Sequence, residues 1–201
     1  MVSKRRWAGE SSEVRTALID AAEQLMRDEG YPAVTARNLA DKVGLTRQIV
    51  HYYFSSMDEV FIAMIRQSGE KARAQLEAAL ASEDPLRALW DLNRDPSQSI
   101  LSMEMNALAN RRPAVRAEVA KVAEEFRDIQ VRGLTDLLER RGVTALMPPD
   151  VSILLLTSLA QVLTVEEAID VTRGHAAATA FVQACLDAFN EGRRTPLLNV
   201  G

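Results

Sequence analysis

Apolar residues recur at steps of three and four positions along most of the chain, which is the spacing of one face of an α-helix. In residues 113–141, for example, this face carries Val119 and Phe126. Alternating apolar and polar positions joined by Asn-Gly or Asp-Gly turns, which are typical of β-hairpins, do not occur in the sequence. The pattern therefore predicts an all-α protein.

Prolines and glycines mark the ends of the helical segments. All seven prolines fall between segments or at the first residue of one, and none falls inside a segment; proline suits the first turn of a helix. Gly30, Gly44 and Gly142 follow periodic stretches, where a left-handed residue ends a helix. Gly69 and Gly133 stand inside predicted helices, where glycine is unfavourable. The pattern predicts about nine helices, at residues 11–29, 36–43, 47–53, 57–81, 85–93, 96–109, 113–141, 149–170 and 173–191.

Residues 34–54 contain two short predicted helices joined by a tight turn. Thr35 is a suitable N-cap for the first helix, and Gly44 permits the turn. Two helices joined by a short glycine-containing turn form a helix-turn-helix, whose second helix enters the major groove of DNA. A solvated helical hairpin with no role in DNA binding has the same spacing and is the alternative interpretation.

The first turn of the second short helix carries side chains suited to reading bases. Arg47 can bond guanine O6 and N7, and Gln48 can bond adenine N6 and N7. The hydroxyls of Thr46 and Tyr52 are suited to phosphate oxygens. These residue types in this order favour DNA recognition.

The motif Thr35-x-x-x-Leu39-Ala40-x-x-Val43-Gly44-Leu45-Thr46, followed by Tyr52-Tyr53-Phe54, resembles the DNA-binding head of the tetracycline-repressor (TetR) family. The similarity extends over about residues 12–62. It implies a three-helix helix-turn-helix domain in residues 1–54 and a helical effector-binding and dimerisation domain in residues 55–201. Members of the family are mostly repressors that their ligand releases from DNA. The DNA-facing residues implied by the resemblance are Thr35, Arg37, Arg47, Gln48, Ile49, His51, Tyr52 and Tyr53.

Three places in the head depart from the family pattern. The family often has Gly-Thr at the positions of Gln48 and Ile49, and commonly has Tyr at the position of His51. It often has a phosphate-contacting Lys at the position of Met57. The first two departures predict a changed base preference. The third predicts that part of the affinity for DNA comes from other contacts.

The body of the chain carries no glycine-rich phosphate loop, metalloprotease motif or nucleophile elbow, so an enzyme is not predicted. Helices 85–93, 96–109 and 113–141 would surround the interior that regulators of this family use as a ligand cavity. Methionines and a few polar groups suit a small, largely hydrophobic effector. The alternative is that the same residues only fill the core. The predicted lining is Trp90, Met103, Met105, Asn106, Phe126 and Gln130.

Residues 151–165 contain no charge, so a helix there needs cover on more than one side. The final helix offers small residues that allow close approach. Two such helices from each of two chains would make the four-helix bundle through which the family dimerises, whereas a monomer would bury the segment internally. The predicted homodimer interface comprises Leu155, Leu159, Ala177, Phe181, Ala184 and Ala188.

Charge and composition narrow the function further. The net charge of the chain is −4, but residues 1–54 hold eight Lys/Arg and seven Asp/Glu, which makes the head weakly basic. One cysteine and two histidines are too few for a Cys-cluster or His-rich metal site, so neither a metal nor a cofactor is predicted. The N-terminus lacks a secretory signal, and no run approaches the roughly 20 apolar residues of a membrane span. We therefore expect a cytoplasmic protein.

Three further features have plain interpretations. A basic segment, Lys4–Trp7, precedes the first helix; such segments either reach a minor groove or, more often, stay disordered and solvated. His175 is expected at a helix cap or on the surface. Glu166 and Glu167 are adjacent on a helix and are expected to point in different directions.

Overall fold

The computed structural model describes residues 2–142 and 148–192, with side chains from Glu13 onward. Over these residues the regular elements are nine α-helices and one short 3-10 turn, Tyr31–Ala33. The predicted all-α fold class is confirmed. The helices are α1 (Val2–Glu29), α2 (Ala36–Val43), α3 (Arg47–Tyr53), α4 (Met57–Leu80), α5 (Pro85–Asn93), α6 (Pro96–Ala109), α7 (Pro113–Arg141), α8 (Pro149–Glu167) and α9 (His175–Asn190).

The chain divides into two compact units. Unit 1 comprises the residues up to Ala72 together with Ile100–Glu125, and unit 2 comprises Arg73–Ser99 and the described residues from Phe126 onward. Both α4 and α7 contribute residues to each unit. The predicted boundary at residue 54 separates a DNA-binding domain from an effector-binding domain and does not coincide with the limits of these units. It stays a prediction.

The core of unit 1 fixes the two short helices. Leu39 of α2 and Val50 of α3 are buried in one apolar cluster with Leu18 of α1, Leu108 of α6 and Val115 of α7. Helices of seven or eight residues are unstable alone because too few hydrogen bonds offset the cost of nucleation. Burial of each large apolar side chain contributes about 1.5–3 kcal/mol. The position of α3 therefore depends on this cluster.

Unit 2 has two apolar clusters. Trp90 of α5 packs with Leu163 of α8 and Val182 of α9 in the first cluster. The second cluster includes Leu134 of α7 and Ile153 of α8. Helix α8 therefore contributes to both clusters and is central to the packing of this unit.

Gly133 lies within α7, which continues through it without interruption. A Cβ atom at this position would lie 2.7 Å from the Cδ2 atom of Leu80 on α4. The missing side chain therefore makes room for Leu80, which explains a glycine in a helix interior.

The N-terminal end of α1 differs from the prediction. The helix begins at Val2 rather than at residue 11, so Ser11 and Ser12 lie inside it. The added residues include no proline, and lysine, arginine and alanine are good helix formers. The basic segment at residues 4–7 therefore continues α1 in its backbone instead of forming an unstructured arm. Its side chains lie outside the described residues.

The connection between α8 and α9 also differs from the prediction. Helix α8 ends at Glu167 rather than at residue 170, and α9 begins at His175 rather than at residue 173. The N–H of Val171 donates to the carbonyl of Glu166 at 2.9 Å, and the N–H of Asp170 donates to that of Glu167 at 3.2 Å. This is a Schellman motif, in which Asp170 (φ 60°) takes the left-handed conformation usually supplied by glycine. Because aspartate stands where glycine is usual, no glycine marks the C-terminal end of α8 in the sequence.

Helix α8 is apolar enough to pass a simple test for a membrane span. It has 19 residues, and a window within it has a mean hydropathy of 1.3 and is 28% buried. The expectation that no segment approaches the length and apolar character of a membrane span was therefore wrong for α8. One such helix is a weak indication of a membrane segment, because the core helices of soluble proteins meet the same criteria.

Glu23 of α1 is bound to α4 through its carboxylate, which accepts a hydrogen bond from Ser68 at 2.8 Å and lies 3.6 Å from the ammonium of Lys71. Burial alone would raise the pKa of Glu23, but the hydrogen bonds from Ser68 and Arg27 and the charges of Lys71 and Arg27 outweigh it and lower the pKa. A lowered pKa in the folded state stabilises the fold above the ordinary value of 4.5, and this stability is lost as the pH falls through the folded pKa.

We expect Glu23→Gln to reduce the free energy of unfolding by about 1–3 kcal/mol at neutral pH, because the amide has no charge and only one acceptor oxygen, so either Ser68 or Arg27 loses its acceptor. The difference from wild type should shrink as the pH falls below 4.5. Urea unfolding at a series of pH values measures this. Glu70→Gln, at an exposed position on α4, is the matched control and should leave the pH dependence unchanged. A constant difference at every pH would contradict the assignment.

Candidate DNA interface and effector region

Helices α2 and α3 form a helix-turn-helix. The hydroxyl of Thr35 caps α2 by accepting a hydrogen bond from the N–H of Asn38 at 3.2 Å. Gly44 ends α2 in the left-handed conformation (φ 70°), and no atom would lie within 4 Å of a Cβ there. Glycine is thus required by the backbone conformation of the turn and not by crowding.

The two sides of α3 differ sharply. Val50 and the following Phe54 are 1% and 2% exposed and pack into the core of unit 1. Arg47, Gln48 and His51 are exposed on the other side. Helix α3 thus presents a polar outer surface that is held in place by a buried inner one.

The remaining predicted DNA-facing residues occupy varied environments. Thr46 stands at the N-cap of α3 without a side-chain capping bond in the described chain, which leaves its hydroxyl available. Arg37 is exposed and lies 3.7 Å from the carboxylate of Asp41. Tyr52 is 78% exposed and meets the ring of Tyr53 edge-on at 5.1 Å. Ile49 and Tyr53 are half-buried, and Thr35 is exposed.

The start of α4 is capped immediately after α3. The carboxylate of Glu59 accepts a hydrogen bond from the N–H of Ser55 at 2.7 Å, and the N–H of Glu59 donates to the hydroxyl of Ser56 at 3.3 Å. The hydrogen bond from the backbone of Ser55 lowers the pKa of Glu59. Capping bonds of this type satisfy backbone N–H groups that would otherwise lack a partner at the start of a helix.

Two contacts that were not predicted from the sequence join later parts of the chain to the turn after α1 and to the start of α4. The carboxylate of Glu104 on α6 accepts a hydrogen bond from the N–H of Tyr31 at 2.7 Å, in the turn between α1 and α2. Arg112, just before α7, pairs with Asp58 and lies 5.3 Å from the ring centroid of Phe61. Neither contact can be predicted from a local motif, because the two partners lie 73 residues apart in the first contact and 54 residues apart in the second.

The residues predicted to line an effector pocket fall in both units. Trp90, Phe126 and Gln130 belong to unit 2, where Trp90 is 2% exposed and Gln130 is 9% exposed. The remaining three belong to unit 1: Met103 and Asn106 are exposed, and Met105 is half-buried against the core. Their role in effector binding stays a prediction.

Helices α8 and α9 leave apolar side chains exposed on the single chain. Leu155 is 57% exposed and Phe181 is 43% exposed, and both belong to the predicted dimer interface. Ala177 and Ala184 are also exposed, and Leu159 is half-buried. Ala188 is only 2% exposed, so it packs inside its own chain and does not lie on the outer surface. The other exposed apolar residues of α8 are Val151, Leu154 and Val162.

His175 is a buried residue and not a surface one, although it stands at the start of α9 as expected for a cap region. Its Nε2 atom lies 2.8 Å from the carboxylate of Glu166, and its Nδ1 atom lies 3.4 Å from that of Glu167. Both adjacent glutamates therefore reach the same ring, contrary to the expectation that they diverge. The hydrogen bond from Arg94 is the main cause of a lowered pKa at Glu167.

The described residues contain no group of three His, Cys, Asp or Glu side chains that could hold a metal ion. Cys185 is a free, partly buried thiol, and burial raises its pKa. A raised pKa lowers the thiolate fraction, so this group is a poor nucleophile.

A helix-turn-helix whose second helix has an exposed polar surface is typical of DNA-binding regulators of transcription. The profile of the family "Bacterial regulatory proteins, tetR family" matches residues 18–64. The HTH-type transcriptional regulator BetI of Rhizobium meliloti (strain 1021) is 31% identical over an alignment of 144 residues, and the match covers 68% of this chain and 67% of BetI. The chain belongs to the TetR family. It is thus a transcriptional regulator and not an enzyme, as the sequence predicted.

Solved structures agree on the fold. A protein from Saccharomonospora viridis, described as a transcriptional regulator and crystallised with choline, superposes with a TM-score of 0.72 at 18% identity over 86% of this chain and 96% of that one. A TetR transcription regulator from Haloarcula marismortui superposes with a TM-score of 0.69 at 17% identity over 90% of this chain and 98% of that one. At this level of identity the likeness shows the fold alone.

Proposed function

We propose that the protein is a ligand-responsive repressor, which binds a near-palindromic operator as a homodimer and is released from it by a small organic effector. The exposed polar surface of α3, in a chain of this family, is the observation that carries the proposal. Because the target is chromosomal DNA, we place the protein in the cytoplasm.

We assign Arg47 and Gln48 to base recognition in the major groove. Both side chains are exposed on the first turn of α3, where the recognition helix of a helix-turn-helix meets base edges. Thr46 and Tyr52 are assigned to phosphates, because their hydroxyls are exposed at the two ends of α3. The remaining members of the set, assigned through the resemblance to the family, are Thr35, Arg37, Ile49, His51 and Tyr53.

We assign the dimer interface to the outer surfaces of α8 and α9. Side chains as large as Leu155 and Phe181 are left about half exposed there, and a two-fold partner with the same surface would cover them. Ala177 and Ala184 allow the partner helices to approach closely. A dimer places two copies of α3 at a fixed separation, which a palindromic site requires.

We assign effector binding to the C-terminal domain, with Trp90, Phe126 and Gln130 of unit 2 as candidate contacts. The Saccharomonospora viridis protein, which has this fold, holds choline, a small organic molecule. Helix α6 begins in unit 2 and carries Glu104 in unit 1, where its carboxylate binds the N–H of Tyr31. A ligand that shifts α6 would therefore alter a contact of the head. Coupling of about 1–3 kcal/mol would weaken operator binding by roughly 5–150-fold.

Selection from a randomised pool of DNA duplexes tests the proposal. We expect enrichment of near-palindromes whose half-site centres are separated by one helical turn, about 10 bp, or a multiple of it. Affinity for the selected site should fall steeply with salt, because phosphate contacts release counterions. Choline, which the Saccharomonospora viridis protein binds, and small organic acids are the effectors to titrate against the complex. If no near-palindromic sequence is enriched, or if the affinity for the selected site does not depend on salt concentration, the proposal is contradicted.

A further inference from the structure

Arg127 of α7 has an unusual environment in unit 2. Its Nη1 atom is buried and has no hydrogen-bond partner among the residues that the structure describes. Two other partly buried arginines of the same unit are paired: Arg87 binds Asp187 at 2.6 Å, and Arg94 binds Glu167 at 2.8 Å. The lone buried nitrogen is therefore an exception within its own unit.

A buried guanidinium nitrogen without an acceptor is costly. Arginine stays protonated at every physiological pH, so the group cannot avoid the cost by losing its charge. Burial removes the water that would otherwise accept its hydrogen bonds. Such a position favours the binding of an anion that supplies the missing acceptor.

The neighbours of Arg127 on α7 indicate what kind of anion fits. Gln130 and Leu134 follow at steps of three and four residues, so they share one side of the helix with Arg127, and they are 9% and 5% exposed. The adjacent Phe126 packs against the second apolar cluster of unit 2. One cation beside an amide and apolar side chains suits a carboxylate on an apolar body better than a strongly hydrated inorganic anion.

We propose that Arg127 binds the carboxylate of an organic-acid effector, with the Nη1 atom of Arg127 as the donor. This inference rests on the proposed function, because it names the chemical class of the effector. Gln130 lies one turn further along the same side of α7 and offers both a donor and an acceptor. A quaternary ammonium ligand is disfavoured beside an unpaired guanidinium, since the two charges repel.

The test uses the full chain without DNA and pairs of probes that differ only in charge. Phenylacetate and phenylbutyrate are compared with phenylacetamide and phenylbutyramide, and benzyltrimethylammonium is the cationic control. Calorimetry gives the dissociation constants, and thermal unfolding gives the shift in Tm at millimolar ligand. We expect the carboxylates to bind and to raise Tm, and the amides and the cation to bind at least tenfold more weakly.

Variants of Arg127 decide whether this residue is responsible. Arg127→Gln should weaken carboxylate binding by about 10- to 100-fold, the loss typical for a charged hydrogen bond. Arg132→Gln, an exposed charge on the same helix, is the matched control and should bind as wild type does. Without ligand, Arg127→Leu should unfold at the same temperature as wild type or higher, because a buried nitrogen without a hydrogen-bond partner is removed. A clear fall in that Tm would show a structural partner and overturn the proposal.

Other outcomes also decide the matter. Carboxylates that bind no better than their amides, or that bind Arg127→Gln as tightly as wild type, overturn the proposal, as does a failure of every carboxylate to bind. A separate measurement follows operator binding in the presence of each ligand. Release of the operator by a neutral ligand alone would support the proposed function and contradict the anion site. Carboxylate binding that needs Arg127 but leaves operator affinity unchanged would support the anion site and contradict effector control through it.

Discussion

Leu155→Glu is expected to convert the proposed homodimer into a monomer and to abolish operator binding. Leu155 is 57% exposed on the single chain, so the substitution leaves the monomer fold intact. In the dimer it would bury an unpaired carboxylate from each chain, which costs on the order of several kcal/mol per charge. Sedimentation velocity measures the change of state, and gel shift on the selected operator measures the loss of binding.

Ile100→Glu is the matched control for this prediction. Ile100 of α6 is also exposed, at 44%, and it lies outside the proposed interface. This variant should remain a dimer and keep its operator affinity. A wild-type protein that sediments as a monomer at micromolar concentration, or a Leu155→Glu variant that remains a dimer, would show that the interface is assigned to the wrong helices.

Arg47→Ala is expected to weaken binding to the selected operator by about 1–3 kcal/mol, which is the discrimination supplied by a bidentate contact to guanine. One position of each half-site should lose its base preference at the same time. Repeating the selection with the variant measures the preference, and titration of the original site measures the affinity.

Lys42→Ala removes a charge of the same sign from the last turn of α2 and is the control for Arg47→Ala. It should leave the selected sequence unchanged, because Lys42 is not among the residues assigned to bases. If Arg47→Ala retains both the affinity and the selected sequence of wild type, Arg47 does not read a base.

The ends of several helices could be predicted because proline and glycine are specific about backbone conformation. Pro85, Pro96 and Pro113 each occupy the first position of a helix, where the missing N–H costs nothing. Gly44 ends α2 in a conformation that most residues avoid. The end of α8 could not be predicted in this way. Asp170 takes the left-handed conformation there, but aspartate adopts many other backbone conformations and so does not mark a helix end.

The exposed surface of α3 could also be predicted, since the inward positions of a short helix follow from its spacing. The contacts of His175 could not. Adjacent residues diverge within a helix, but Glu166 and Glu167 stand at the end of α8, and the chain turns back so that His175 lies between their carboxylates. The unpaired nitrogen of Arg127 depends on which acceptors the fold leaves out of reach. Such absences have no periodic signal in a sequence.

The carboxylate of Glu104 binds a peptide N–H at Tyr31 and not a side chain. The contact is therefore available to any residue at position 31 except proline, which lacks the N–H, and it involves no side chain of α3. Substitutions at the exposed positions of α3 therefore leave the hydrogen bond between Glu104 on α6 and the N–H of Tyr31 in place. If α3 reads the operator and α6 transmits the ligand response, as proposed, the base preference can be changed by substitutions on α3 while the response to the effector is kept.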